Sequence, residues 1–237
     1  MKKIIVAALM LWSLVQLTSC KKVIGEGPVV TQDRNTGTFT GIEMGAPGDL
    51  YYTPGSQFSI QVTAQQNIAD IIETYVSGNT LRVKVKNSVN IRSHERIIIK
   101  VTAPDINDLG VNGSGNAHIQ NEYAPERIKL FVNGSGEFTA AKIIADHLET
   151  RISGSGRLNV LNGSANTLDA GVSGSGLTDV SGLAAKEAKA DISGSASIRV
   201  NAIDLLDCRI SGSGVIFYKG NPKINSKISG SGRVTSM

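Results

Sequence analysis

The chain has 237 residues and a formal charge of +4, of which Lys2 and Lys3 supply two within a leader expected to be removed. The remaining +2 and the 5% aromatic content argue against a nucleic-acid partner and against a base- or sugar-stacking platform, which need basic surface and exposed ring faces. Glycine is abundant, at 26 residues against 6 prolines and with no collagen period, which is the composition of a chain with many tight turns.

The N-terminus carries the most specific short signal. Met1-Lys2-Lys3 is a charged start, and Ile4 to Leu17 is almost wholly apolar, running into Leu17-Thr18-Ser19-Cys20. That run is too short to be preferred as a spanning helix. Small residues before a cysteine resemble the lipobox of bacterial lipoprotein signal peptides. The resemblance implies that residues 1–19 are removed and that Cys20 carries lipid on its sulfur and amino group. The acyl chains then hold the protein in the cell envelope, at the outer membrane, each buried methylene contributing about 0.8 kcal/mol. Cys208 is left without an intrachain partner, so no structural disulfide is expected. Residues 20–28 read as a tether.

Residues 29–105 read as a β-rich segment. Phe58 to Val62 and Leu81 to Val85 alternate as strands with one wet face do, and Thr36 to Ile42, Leu50 to Thr53 and Ile97 to Thr102 are further strands. Ile68, Ile71, Ile72 and Tyr75 follow helical spacing, with Asn67 as N-cap. The segment is expected to cap or extend the repeats on its C-terminal side.

Residues 106–237 carry a turn repeated seven times, beginning at Gly113, Gly134, Gly154, Gly174, Gly194, Gly212 and Gly230. It is Gly-Ser-Gly except for Gly194-Ser195-Ala196, at intervals of 21, 20, 20, 20, 18 and 18 residues. Two residues before each stand Val111, Val132, Ile152, Val172, Ile192, Ile210 and Ile228, and positions four and six after are mostly apolar as well. Apolar positions two apart mark the inward face of a strand. Each repeat therefore reads as strand, glycine corner, strand and variable return loop. A lone repeat cannot bury its inward side chains, whereas stacked repeats form continuous aliphatic ladders. The expected fold is all-β, a β-solenoid of the single-stranded right-handed β-helix kind, with seven coils in a rod of roughly 30 Å. Asn112, Asn133 and the serines at 153, 173, 193, 211 and 229 are placed to form a polar ladder at the bend.

No catalytic, metal or cofactor site is read from the residues. His94, His118 and His147 fall in separate segments, and the repeated Ser lacks the surroundings of a nucleophile elbow. The best enzymatic alternative is a polysaccharide-active pair, Glu149 and Asp169. These are vertical neighbours in the outward column five before the corner, which runs Asp108, Lys129, Glu149, Asp169, Lys189, Asp207, Asn225. Cys208 falls in an inward column and reads as a small buried thiol. For ligand contact the aromatic candidates on the rod are Phe131 and Phe217, in outward columns, and Tyr123, in a return loop.

The order of parts resembles the head GIN domain family, described as an auto-transporter adhesin head and common in Bacteroidetes. The matching residues are Gly25 to Val30, Phe39 to Met44, Asn67 to Leu81, and Ile99 to Pro104 leading into the glycine ladder, over about residues 25–237. The resemblance implies a β-helical fold and an envelope address, and brings no catalytic residues with it. The reading is thus a non-enzymatic, lipid-anchored envelope protein that binds protein or glycan through a rigid solenoid face, or serves as a structural scaffold. Its final coil, with no capping helix after it, is expected to fold over itself or to pair with another molecule as a homo-oligomer.

Overall fold

A computed structural model describes residues 21–237; the leader and Cys20, with the lipidation expected there, lie outside the described residues. The N-terminal segment runs β1 (Lys21–Ile24), β2 (Val29–Arg34), β3 (Gly41–Gly45), β4 (Asp49–Pro54), β5 (Ser59–Gln65), α1 (Gln66–Ala69), β6 (Ile72–Ser77), β7 (Thr80–Val85), β8 (Val89–Ser93) and β9 (Ile98–Ala103). The repeats then run β10 (Asp108–Gly113), β11 (Asn116–Tyr123), β12 (Arg127–Gly134), β13 (Glu137–Gly154), β14 (Arg157–Val160) and β15 (Gly163–Gly174). After them come β16 (Leu177–Gly194), β17 (Ser197–Gly212), β18 (Val215–Lys219), β19 (Lys223–Gly230) and β20 (Arg233–Ser236).

The repeats stack as a β-solenoid of about six turns. Every corner glycine from Gly134 to Gly230 lies in parallel register with the one before it. On face one, β10, β12, β15, β19 and the C-terminal halves of β13, β16 and β17 pair in order; on face two, β11, β14, β18, β20 and the corresponding N-terminal halves do so. Between the faces runs one dry core, in which Leu109, Leu130, Phe138, Leu158, Ile198 and Ile216 are fully buried.

The return is not always a loop. Ile143 to Ala145, Gly163 to Ala165 and Leu183 to Ala185 pair coil to coil as a third face, so β13 and β16 each continue unbroken through 18 residues. Alanine, leucine and isoleucine at the inward positions make the reason plain: Ile143, Ala165, Leu183 and Ala185 extend the buried ladder.

The two corner glycines serve different needs. The first has positive φ at every corner, between +114° and +125°. In the stacked coils a Cβ there would also run into the previous coil's glycine carbonyl, 2.5 Å away at Gly154. The second glycine points inward beneath an aliphatic side chain, and Ala196 shows that one coil accepts a methyl group there. The polar ladder expected from side chains is formed mainly by backbone. Ser155, Ser175, Ser195 and Ser213 donate their N–H to the first glycine carbonyl of the preceding corner, at 2.9–3.0 Å. Only Asn133 and Asn112 join by side chains, at 2.8 Å.

The N-terminal segment extends the stack and then covers it. β3 lies on β10 and β7 on face one, and β4 lies on β11 and β9 on face two, all parallel. Beyond them β6 pairs antiparallel with β7, and β5 pairs antiparallel with both β9 and β2. The helical reading of Ile68 to Tyr75 holds for one turn only, since α1 ends at Ala69 and Ile72 to Ser77 is β6. The alternation Ile72, Thr74, Val76 pairs this stretch with β7 in a hairpin turned by Gly78-Asn79, and that pairing outweighs helical spacing. Asn67 caps nothing; its side chain accepts from the Glu26 N–H and donates to the Ile24 carbonyl, both at 2.8 Å. The strand expected over Thr36–Ile42 begins only at Gly41. Within the stretch read as a tether, Lys21–Ile24 pairs in parallel with β8.

Candidate functional site

Face one presents two outward columns along the rod. The outer column stands five residues before each corner glycine, the inner column three before; the latter runs Gly110, Phe131, Arg151, Gly171, Asp191, Arg209, Lys227. Glycines let its large members lie flat. The Phe131 ring lies across Gly110, and the Arg151 side chain lies across Gly171, where a Cβ would stand 3.1 Å from a guanidinium nitrogen. Next to this column run the exposed serines at 153, 173, 193, 211 and 229. Between the two rows lies a shallow groove of about 740 Å³, reaching five coils from Arg151 to Lys227. Only small side chains border it on one side, which is why the surface dips there.

Its charges divide into two halves. From Lys129 to Asp191 they neutralise one another in a chain of ion pairs: Lys129–Glu149 at 3.6 Å, Glu149–Arg151 at 3.1 Å, Arg151–Asp169 at 2.9 Å, Asp169–Lys189 at 3.7 Å and Lys189–Asp191 at 2.7 Å. Partial burial pushes the Asp169 carboxyl up, but hydrogen bonding and charge from Arg151, with Lys189 and His147, more than reverse this and hold it below its ordinary value. Toward the C-terminal end, Arg209 and Lys227 are exposed and take no ion-pair partner among the described residues. That end of the groove is cationic.

The structure brings Glu149 and Asp169 into register, as expected, but sets Arg151 between them. The guanidinium fills the space that a glycosidic oxygen and an attacking water would need. Phe131 is half-buried over Gly110, and Phe217 sits on face two with the Arg199 guanidinium 5.7 Å from its ring centre. Tyr123 is buried: its hydroxyl donates to the Ile106 carbonyl at 2.6 Å and accepts the Ile106 N–H at 2.8 Å, and its ring meets Tyr52 edge-on. It ties the first coil to the segment before it. Cys208 is buried in the inward column, where burial pushes its thiol pKa up to about 12. The histidines lie apart, His118 stacked on Tyr51, His147 bonded to Thr167 and His94 to the Glu95 carbonyl.

Sequence reasoning takes Phe131 from the inner column and its charged pair from the outer one, but does not find the groove, whose lining starts at Arg151. The same register contains the signal, two glycines alternating with large residues in one outward column. A second, smaller depression on the third face has Ile144 and Ile203 at its rim, both exposed.

A family model described as "Putative auto-transporter adhesin, head GIN domain" matches residues 38–222, and the chain belongs to that family. Among curated proteins none matches. A solved structure named a putative adhesin from Bacteroides fragilis is 26% identical with a TM-score of 0.85, covering 91% of this chain and 100% of its own. A structure named a putative lipid binding protein, from Parabacteroides distasonis, is 28% identical with a TM-score of 0.73, covering 92% and 100%. A putative adhesin from the same species, at 22% identity and a TM-score of 0.75 over 92% and 100%, shares the fold.

Proposed function

Starting from this membership, we propose that the chain is a non-catalytic envelope protein, held at the outer membrane by lipid on Cys20, that adheres to a protein or glycan ligand through the groove on face one. The observation that carries the reading is the unneutralised cationic end of that groove, Arg209 and Lys227, set one coil apart on a rigid backbone. A solenoid surface loses little conformational entropy when it engages a partner, and spacing fixed at one coil matches a ligand with regularly placed acceptors. Against the enzymatic alternative, Arg151 stands between Glu149 and Asp169 and is ion-paired to both, so neither carboxylate is free to face a substrate.

The test is adherence of intact cells carrying the full-length chain to immobilised envelope or host-surface glycoprotein. Replacing Arg209 and Lys227 together with Glu should cut adherence at least severalfold at unchanged surface level. Adherence equal to the parent's counts against the groove. Protease shaving of the same cells should release the protein, and Cys20→Ala should abolish incorporation of labelled palmitate. The name of the lipid-binding neighbour suggests a parallel arm: co-sedimentation with vesicles that requires Arg209 and Lys227 while glycoprotein adherence does not would replace protein or glycan with lipid as the ligand.

A further inference from the structure

The two ends of the rod are built differently. At the N-terminal end, antiparallel β2, β5 and β6 finish the faces and the core beneath is closed. At the other end, among the described residues, β19 pairs only with β17 and β20 only with β18, so one side of each strand leaves its N–H and C=O groups unpaired, as one side of β2 and β6 also does at the N-terminal end. What sets this end apart is that its inward aliphatic columns are uncovered by the described residues. Leu206 and Ile210 are buried, but Ile224 and Ile228 stacked on them are 38% and 42% exposed. Bare backbone beside bare aliphatic side chains is a surface that adds another strand.

We infer that this end binds the same end of a second copy, β19 pairing antiparallel with β19 about a twofold axis through Ser226. A twofold axis normal to face one keeps the inward side inward while reversing both strand and rod directions, so the sheet and the core continue into the partner. The sequence of β19 suits this register. Ile224 of each copy falls opposite Ile228 of the other, so each aliphatic column is completed by the partner's. Lys223 falls opposite Ser229, Lys227 opposite Asn225, and Ser226 opposite itself. Slipping by two residues in one direction opposes Lys223 to Lys227, and in the other sets Lys227 against itself; like charges directly opposite are unfavourable. The lysines that guard the strand against indiscriminate pairing thereby select one register. The inference does not rest on the groove's ligand, although Lys227 belongs both to the groove and to β19.

The full-length chain in its membrane, with Cys208→Ala and Ser226→Cys, tests it by copper-phenanthroline oxidation and non-reducing electrophoresis. Opposed residues in an antiparallel pair lie about 4.5–5.5 Å apart at Cα, within disulfide reach. A disulfide-linked dimer absent from the Cys208→Ala control is expected, and Ile228→Glu should reduce it at least tenfold. A thiol that reacts with maleimide yet yields no dimer overturns the inference, as does a dimer undiminished by Ile228→Glu. Light scattering of the detergent-solubilised parent chain checks the same equilibrium without any substitution. It should show twice the protomer's protein mass, and a protomer at every concentration overturns the proposal.

Discussion

Replacing Gly154 with alanine separates the two roles of the corner. Gly154 has φ of +120°, a conformation that L side chains rarely adopt, and strain of this kind costs of order 1–3 kcal/mol. Its Cβ would stand 2.5 Å from the Gly134 carbonyl oxygen, and because that oxygen belongs to the stacked backbone of the coil before, it cannot rotate away. Overpacking against a fixed neighbour adds roughly 1–3 kcal/mol, so the total loss should be about 4 kcal/mol. Gly176→Ala is the comparison. Gly176 needs no positive φ; its Cβ would meet the Ile152 Cγ2 at 2.7 Å and the Gly156 carbonyl oxygen at 2.8 Å, a crowding that Ala196 accommodates at the same position one coil on. Its loss should be about 1–2 kcal/mol by the packing term alone. Guanidinium unfolding followed by far-ultraviolet circular dichroism measures both. Equal losses, or a Gly154→Ala loss below about 1 kcal/mol, would refute the division of roles between the two glycines.

Thr178 is fully buried in an inward column with its hydroxyl unpaired, so Thr178→Val should stabilise the fold by about 1 kcal/mol in the same assay. Destabilisation would show that the hydroxyl has a partner. Asp49, Asp169 and Asp179 all have carboxyls below the ordinary 3.8 in the fold. A depressed folded pKa contributes stability above the unfolded value that is lost as pH falls through the folded one. The unfolding free energy should therefore drop steadily on acidification below about pH 4, and less steeply in Asp169→Asn; parallel curves would deny Asp169 its share. The Cys208 thiol, raised to about 12 by burial, should resist maleimide in the native protein at pH 8 and react on unfolding.

The seven-fold corner and its flanking aliphatics were enough, as sequence, to specify a solenoid, because a period near 20 residues with fixed inward positions admits one way of burying those side chains. Register came directly from the same spacing: Val111 to Ile228 form one column, and each corner glycine covers the last. The proposed envelope address also rests on local residues, Lys2 to Cys20. The three-faced coil, the single turn of α1 and the burial of Tyr123 came only with the tertiary structure. Ile68 to Tyr75 satisfies helical and strand spacing alike, and the hairpin with β7 decides between them. Tyr123 closes the second strand of the first coil, but its hydroxyl answers a backbone pair at Ile106, 17 residues away. Charge on face one shows the same division. Which charged residues share a column can be counted from the corners, whereas the way Arg151 folds over Gly171 to separate two carboxylates, leaving Arg209 and Lys227 unneutralised, depends on side-chain direction in three dimensions.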